Sequence, residues 1–125
     1  MLVPIEQLTD VLPEALPWIK RAVERNQGDE NTLDVLIALA QQRYWLFYEP
    51  GVYAAVVQVV KHPQQSVATV IYAGGEGLDA IKHAFEASKK WAKEHQIDVI
   101  RVWGREGWEK TLGLERVGVI LQVDT

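Results

Sequence analysis

The segment Tyr72-Ala73-Gly74-Gly75-Glu76-Gly77, followed by Leu78, holds the residues whose types bear most directly on chemistry. Its glycines let backbone N–H groups and the start of a following helix converge on one point with no Cβ in the way. That arrangement suits an anion such as a pyrophosphate. The same residues also suit a plain strand-to-helix turn whose glycines only supply positive φ angles. Glu76 favours the plain turn, since a carboxylate opposes an anion unless it points to solvent. No Lys-Ser or Lys-Thr pair follows the glycines, so a Walker-type nucleotide site is excluded.

Other reactive side chains lack a telling spacing. His83 and His95 stand too far apart for the helix-face pair of a zinc site, and with His62 they read as ordinary helix and turn residues; no metal is expected. Ser66 and Ser88 have no Gly-x-Ser-x-Gly turn around them, which removes serine nucleophile chemistry. Arg101, Arg105 and Arg116 can meet a carboxylate, a phosphate or an acidic partner, or pair at the surface with Glu106, Glu109 and Glu115. The aromatic run from Tyr44 to Tyr53, with Trp91, Trp103 and Trp108, reads mainly as core, and Trp103 is the best placed for ligand contact.

At 125 residues, 48% hydrophobic and 24% charged, the chain has the size and balance of a single domain, 1–125. No apolar run approaches the roughly 18 residues of a membrane span. Thirteen Lys and Arg against 17 Asp and Glu give a net charge of −4, which repels a nucleic-acid backbone. There is no cysteine for disulfides, thiolate zinc sites or a thiol nucleophile. The N-terminus lacks the features of a signal peptide, so a cytoplasmic location is expected.

The elements that would position these residues follow from periodicity. Leu12, Leu16, Ile19 and Val23 mark an amphipathic helix; Pro17 places its regular start near Leu16, and Gly28 ends it. Asn31 or Thr32 caps a second helix to about Gln42 with Leu33, Leu36, Ile37 and Ala40 on one face. Tyr44–Tyr48 and Val52–Val60 read as a hairpin with a central second strand, and Ser66–Tyr72 as a third strand running into the glycines. A long helix from Leu78 to about His95, a strand from Ile97 to Trp103, a short helix from Arg105 to Leu112 and a last strand from Arg116 to Val123 complete an α+β, or mixed α/β, chain.

This order, with the glycine turn between the third strand and the long helix, resembles the GNAT superfamily of acyl-CoA-dependent N-acetyltransferases across nearly the whole chain. The resemblance implies a central, mostly antiparallel twisted sheet flanked by helices. The family motif at the turn is Gln or Arg, two variable residues, Gly, one variable residue, and Gly or Ala; Tyr72 stands in the lead position and the glycines agree. A second landmark is Trp108-Glu109-Lys110-Thr111-Leu112-Gly113-Leu114, where Trp108 replaces the family's usual tyrosine and one extra residue precedes the glycine. An indole N–H cannot act as a general acid toward a departing thiolate.

By this resemblance Tyr72, Ala73, Gly74, Gly75, Gly77 and Leu78 would hold the diphosphate of acetyl-CoA. Attack of a neutral amine on the thioester needs a base, and Glu49, His62 and Glu76 are candidates, none singled out by spacing. The short C-terminus and the altered Tyr72 and Trp108 support an alternative, a catalytically inert protein. The segment Gly104–Lys110 resembles the GNAT-like proteins of tailed bacteriophages, which would make the partner a virion or host protein and the location host cytoplasm or virion. An open sheet edge leads to an expected homodimer.

Overall fold

A computed structural model of the chain describes residues 1–26, 29–102, 110, 112–118 and 121–124. A short 3-10 turn, Ile5–Gln7, leads into helix α1, Leu8–Asn26. The helix starts well before Leu16 and carries Pro13 and Pro17 inside it. Each proline removes one N–H, so the carbonyls of Thr9 and Pro13 lose their helical donors. All three residues lie on the exposed face, where water substitutes, while Leu8, Ala15, Ile19 and Val23 bury on the opposite side. Burial of that stripe outweighs two missing hydrogen bonds. Gly28, the expected stop, lies outside the described residues.

Helix α2, Thr32–Ala40, opens with a capping box: the Asp34 N–H donates to the Asn31 side chain, and the Asn31 N–H donates to the Asp34 carboxylate, both over 2.9 Å. It ends short of Gln42, which takes a φ of 59°. The buried face is Val35, Ala38 and Leu39; of the expected set, Leu36 is partly buried against this core, whereas Leu33, Ile37 and Ala40 are exposed. The helix is apolar nearly all round, so its periodicity does not choose a side; packing does.

Four strands form one sheet in the order β1 (Trp45–Glu49), β2 (Tyr53–Lys61), β3 (Ser66–Gly75), β4 (Val99–Val102). The first three are antiparallel, and β4 runs parallel to β3. Gly51, with φ 73°, makes the turn between β1 and β2. As expected, β2 is an inner strand. Leu2 adds a single antiparallel bridge to Phe47. Helix α3, Leu78–Glu94, joins β3 to β4. Such a parallel pair requires a crossover helix of this kind.

Helices α1 and α2 cover one sheet face, over Leu46, Tyr48, Ala54, Val56, Ile71 and Tyr72. Helix α3 covers the other, over Phe47, Tyr53, Ala55, Val57, Ala68 and Val70. A bulge connects the two patterns. Val57 pairs with Val70 but Val56 pairs with Tyr72, so β3 holds one extra residue, Ile71. Ile71 and Tyr72 consequently share the α1 face.

The expected strand at Arg116–Val123 does not form in its described residues, and Val117, Leu121 and Val123 are exposed. Apart from Lys110 and Leu112, the short helix expected from Arg105 lies outside the described residues, as do Trp103, Gly104 and Trp108. No helix among the described residues is long and apolar enough to cross a membrane.

Candidate functional site

The ladder between β3 and β4 spans only Val67↔Val99 to Val70↔Val102. Strand β3 runs on to Gly75, and from Tyr72 to Gly75 it pairs with β2 alone among the described residues. Beside this flank, on the α3 side, lies an apolar cleft lined by Val70, Ala73, Val102, Ala84, Phe85 and Leu112. It encloses about 20 Å³, the room of a water molecule.

At the end of the flank the glycines play separate roles. β3 includes Gly74 and Gly75, so the loop expected over Ala73–Gly77 contracts to Glu76 and Gly77. A Cβ on Gly74 would sit 3.0 Å from the Trp18 carbonyl oxygen of α1. A Cβ on Gly75 would sit 2.6 Å from the Val52 carbonyl oxygen and 2.9 Å from the Ala80 Cβ of α3. These two glycines let helices approach the sheet from opposite faces. Only Gly77 takes a positive φ, 88°, and a Cβ there would meet open space.

The turn's N–H groups are partly committed. Glu76 N–H donates to the Val52 carbonyl and Gly77 N–H to the Gly75 carbonyl, each over 3.2 Å. Gly77 caps α3, and no side chain caps the helix's first turn. Its N-terminal N–H groups carry the helix's positive end. Glu76 is solvent-exposed.

The α1 face carries a set of tyrosine–carboxylate bonds. Tyr44 Oη donates to both Glu30 carboxylate oxygens (3.0 and 2.9 Å), and Tyr72 Oη donates to Oε1 of the same group over 2.9 Å. Tyr48 Oη donates to Glu14 over 3.2 Å. Burial, and then the Glu30 bond, push Tyr44 up to about 12. Tyr72 is raised further for the same reasons, with added repulsion from Tyr44 and Asp29. On this face the ladder places Gln58 opposite Thr69 and Thr69 opposite Arg101. Arg101 is half-buried, and its buried Nε has no hydrogen-bond partner.

At the hairpin end, His83 Nε2 pairs with Glu49 over 2.9 Å, tying α3 to β1. The pair is well exposed. Beneath it, Tyr53 is fully buried and accepts a 2.6 Å bond from the Met1 ammonium. Burial and the nearby Glu49 charge push Tyr53 up to about 12.

Of the sequence-derived candidates, Ala73, Gly74, Gly75, Gly77 and the backbone of Leu78 line the end of β3 and the start of α3, whereas the hydroxyl of Tyr72 points to the opposite face and Glu30. Glu49 meets His83; His62 stands exposed in the β2–β3 turn, and His95 caps α3. Among the described residues no group of side chains could hold a metal. Sequence reasoning missed Glu30, whose partners are distant in the chain and gave no local signal.

No family model matches the sequence, and no curated protein matches it. Solved structures do share its fold. A probable acetyltransferase aligns over 100% of this chain and 94% of its own, with 11% identity and a TM-score of 0.68. A possible acetyltransferase from Clostridium difficile 630 aligns over 100% and 95%, with 11% identity and a TM-score of 0.65. An aminoglycoside acetyltransferase from an uncultured soil metagenomic sample, solved with sisomicin, aligns over 100% and 91%, with 11% identity and a TM-score of 0.64. The fold is therefore the GNAT-like α+β fold, with a mixed four-stranded sheet between helices. Nothing in these likenesses supports a phage origin.

Proposed function

We propose that the chain binds an acyl-CoA and transfers its acyl group to an amine. The observation that carries this is the flank of β3 beyond the Val70↔Val102 rung, with the apolar cleft beside it and the start of α3 at its end. An extended pantetheine arm carries amides that can pair with a strand flank as an added strand would. Ala73, Val70 and Val102 would contact its apolar atoms, and the first-turn N–H groups of α3 from Leu78 would face its diphosphate. Gly77, with no Cβ, leaves that approach open.

The cofactor supplies an activated thioester. A neutral amine attacks its carbonyl carbon, the C–N bond forms as the C–S bond breaks, and coenzyme A leaves as the thiol. The chain's part is to orient the thioester against the amine and shield both from water. Calorimetric titration with acetyl-CoA, with coenzyme A as control, tests this. Micromolar binding is expected; no heat at millimolar cofactor overturns it.

A second reading is a protein that binds a partner without turnover. It is favoured by the small volume of the cleft and by the N–H groups of Glu76 and Gly77, already bonded within the turn. Exposed Leu33 and Ile37 on α2 would then form part of the contact, to a second copy or another protein.

A further inference from the structure

Two groups on the α1 face of the sheet are poised for opposite charges. Glu30 presents a half-buried carboxylate fixed from one side by Tyr44 and Tyr72, the only carboxylate among the described residues held by two side-chain hydroxyls. Arg101 presents a half-buried guanidinium with an unpartnered, buried Nε. Burying a charged donor without a partner is costly, and a guanidinium fork matches a carboxylate in a bidentate manner.

Strand register places the two together. Ala68, Val70, Ile100 and Val102 belong to the α3 face. Thr69 and Arg101 alternate with them and therefore project to the α1 face, level with Gln58 on β2. Tyr44 immediately precedes β1 and Tyr72 follows the bulge in β3, so their hydroxyls converge on Glu30 above β2. Strand β4 is two strands from β2, so the backbone of Arg101 lies roughly 10 Å across the sheet from that of Gln58. The rung between Thr69 and Arg101 directly precedes the last rung before the β3 flank. This polar row lies on the sheet face opposite the apolar cleft.

We propose that Glu30 and Arg101 are the two poles of a site for a zwitterionic acceptor, an amino acid whose ammonium faces Glu30 and whose carboxylate pairs with Arg101. Gln58 and Thr69 form the polar floor between them. The acyltransferase reading governs only what becomes of the bound amine; binding of the zwitterion requires no cofactor.

The test is calorimetry on the full chain without acyl-CoA, using 4-aminobutanoate and 6-aminohexanoate, the matching alkylamines and the matching alkanoates. The better zwitterion is expected to bind about tenfold or more tightly than its monopolar analogues. Arg101→Met should reduce it to the level of the alkylamine, Arg101→Lys should restore part of the preference, and Glu30→Gln should reduce it to the level of the alkanoate. Thermal melting confirms that each variant is folded. Equal affinity for all probes, absence of binding, or a preference that survives Arg101→Met and Glu30→Gln overturns the proposal. Acetyl-CoA titrated into the same sample separates the two readings. Cofactor binding without zwitterion preference sinks the acceptor class alone, and zwitterion binding without cofactor binding sinks the transferase alone.

Discussion

The hydroxyl of Tyr72 donates to the carboxylate of Glu30 over 2.9 Å although 42 residues separate them. This bond ties the segment between α1 and α2 to the bulged part of β3. Tyr72 stands where the resemblance places a cofactor-facing residue, yet its polar end serves the opposite face.

Because Tyr44 also donates to Glu30, either tyrosine alone still leaves the carboxylate a partner. Tyr44→Phe and Tyr72→Phe should each cost about 1 kcal/mol. The double variant should cost more than the sum, since it strands a half-buried carboxylate. Urea unfolding of the four proteins in the cycle measures this, and strict additivity would contradict it.

Gly75→Ala should destabilise the fold by about 1–3 kcal/mol, because the new Cβ lands on the Val52 carbonyl and Ala80. Gly77→Ala should cost a similar amount for a different reason, a φ of 88° with ψ near −175°, which is backbone space reserved for glycine. Thermal melting should show both losses, whereas helix content should stay native in each folded variant.

Tyr44 and Tyr53, both pushed up to about 12, should stay protonated in the folded protein well above the usual tyrosine range near 10. The folded state then holds more protons than the unfolded chain between about pH 10 and 12, so the stability they contribute is whole below 10 and is lost as pH rises toward 12. Ultraviolet titration of tyrosinate in folded and urea-unfolded protein should separate the two curves; coincident curves would refute the assignment.

Asn31→Ala removes one half of the box that opens α2. A loss of about 1 kcal/mol is expected by chemical denaturation. Glu49→Gln, which breaks an exposed pair with His83, should change stability by less than about 1 kcal/mol.

Local chemistry made much of the fold legible. The Asn31 cap, the Pro50-Gly51 turn and the valine-rich, largely apolar run of β2 announce themselves within a few residues. The start of α1 was hidden because proline penalties say nothing of which face the rings occupy. The buried face of α2 was hidden because its sequence is apolar on both sides. Gly74 and Gly75 looked like loop, and their true reason, a helix pressed on each sheet face, exists only in three dimensions. Arg101 was marked as an anion-binding candidate by its chemistry, whereas Glu30 had no neighbour in sequence to mark it.

The extra residue at Ile71 interrupts the alternation of β3 without moving any pairing partner beyond it. Removing it would leave Val70 opposite Val57 and Tyr72 opposite Val56, so Tyr72 and Gly74 would still face α1, and Ala73 and Gly75 would still face α3. Glu30 would keep its donor, and each glycine would keep the clearance its own helix needs. A deletion at position 71 is thus a milder event than its place inside a strand suggests: it straightens the ladder and costs chiefly the burial of one isoleucine side chain.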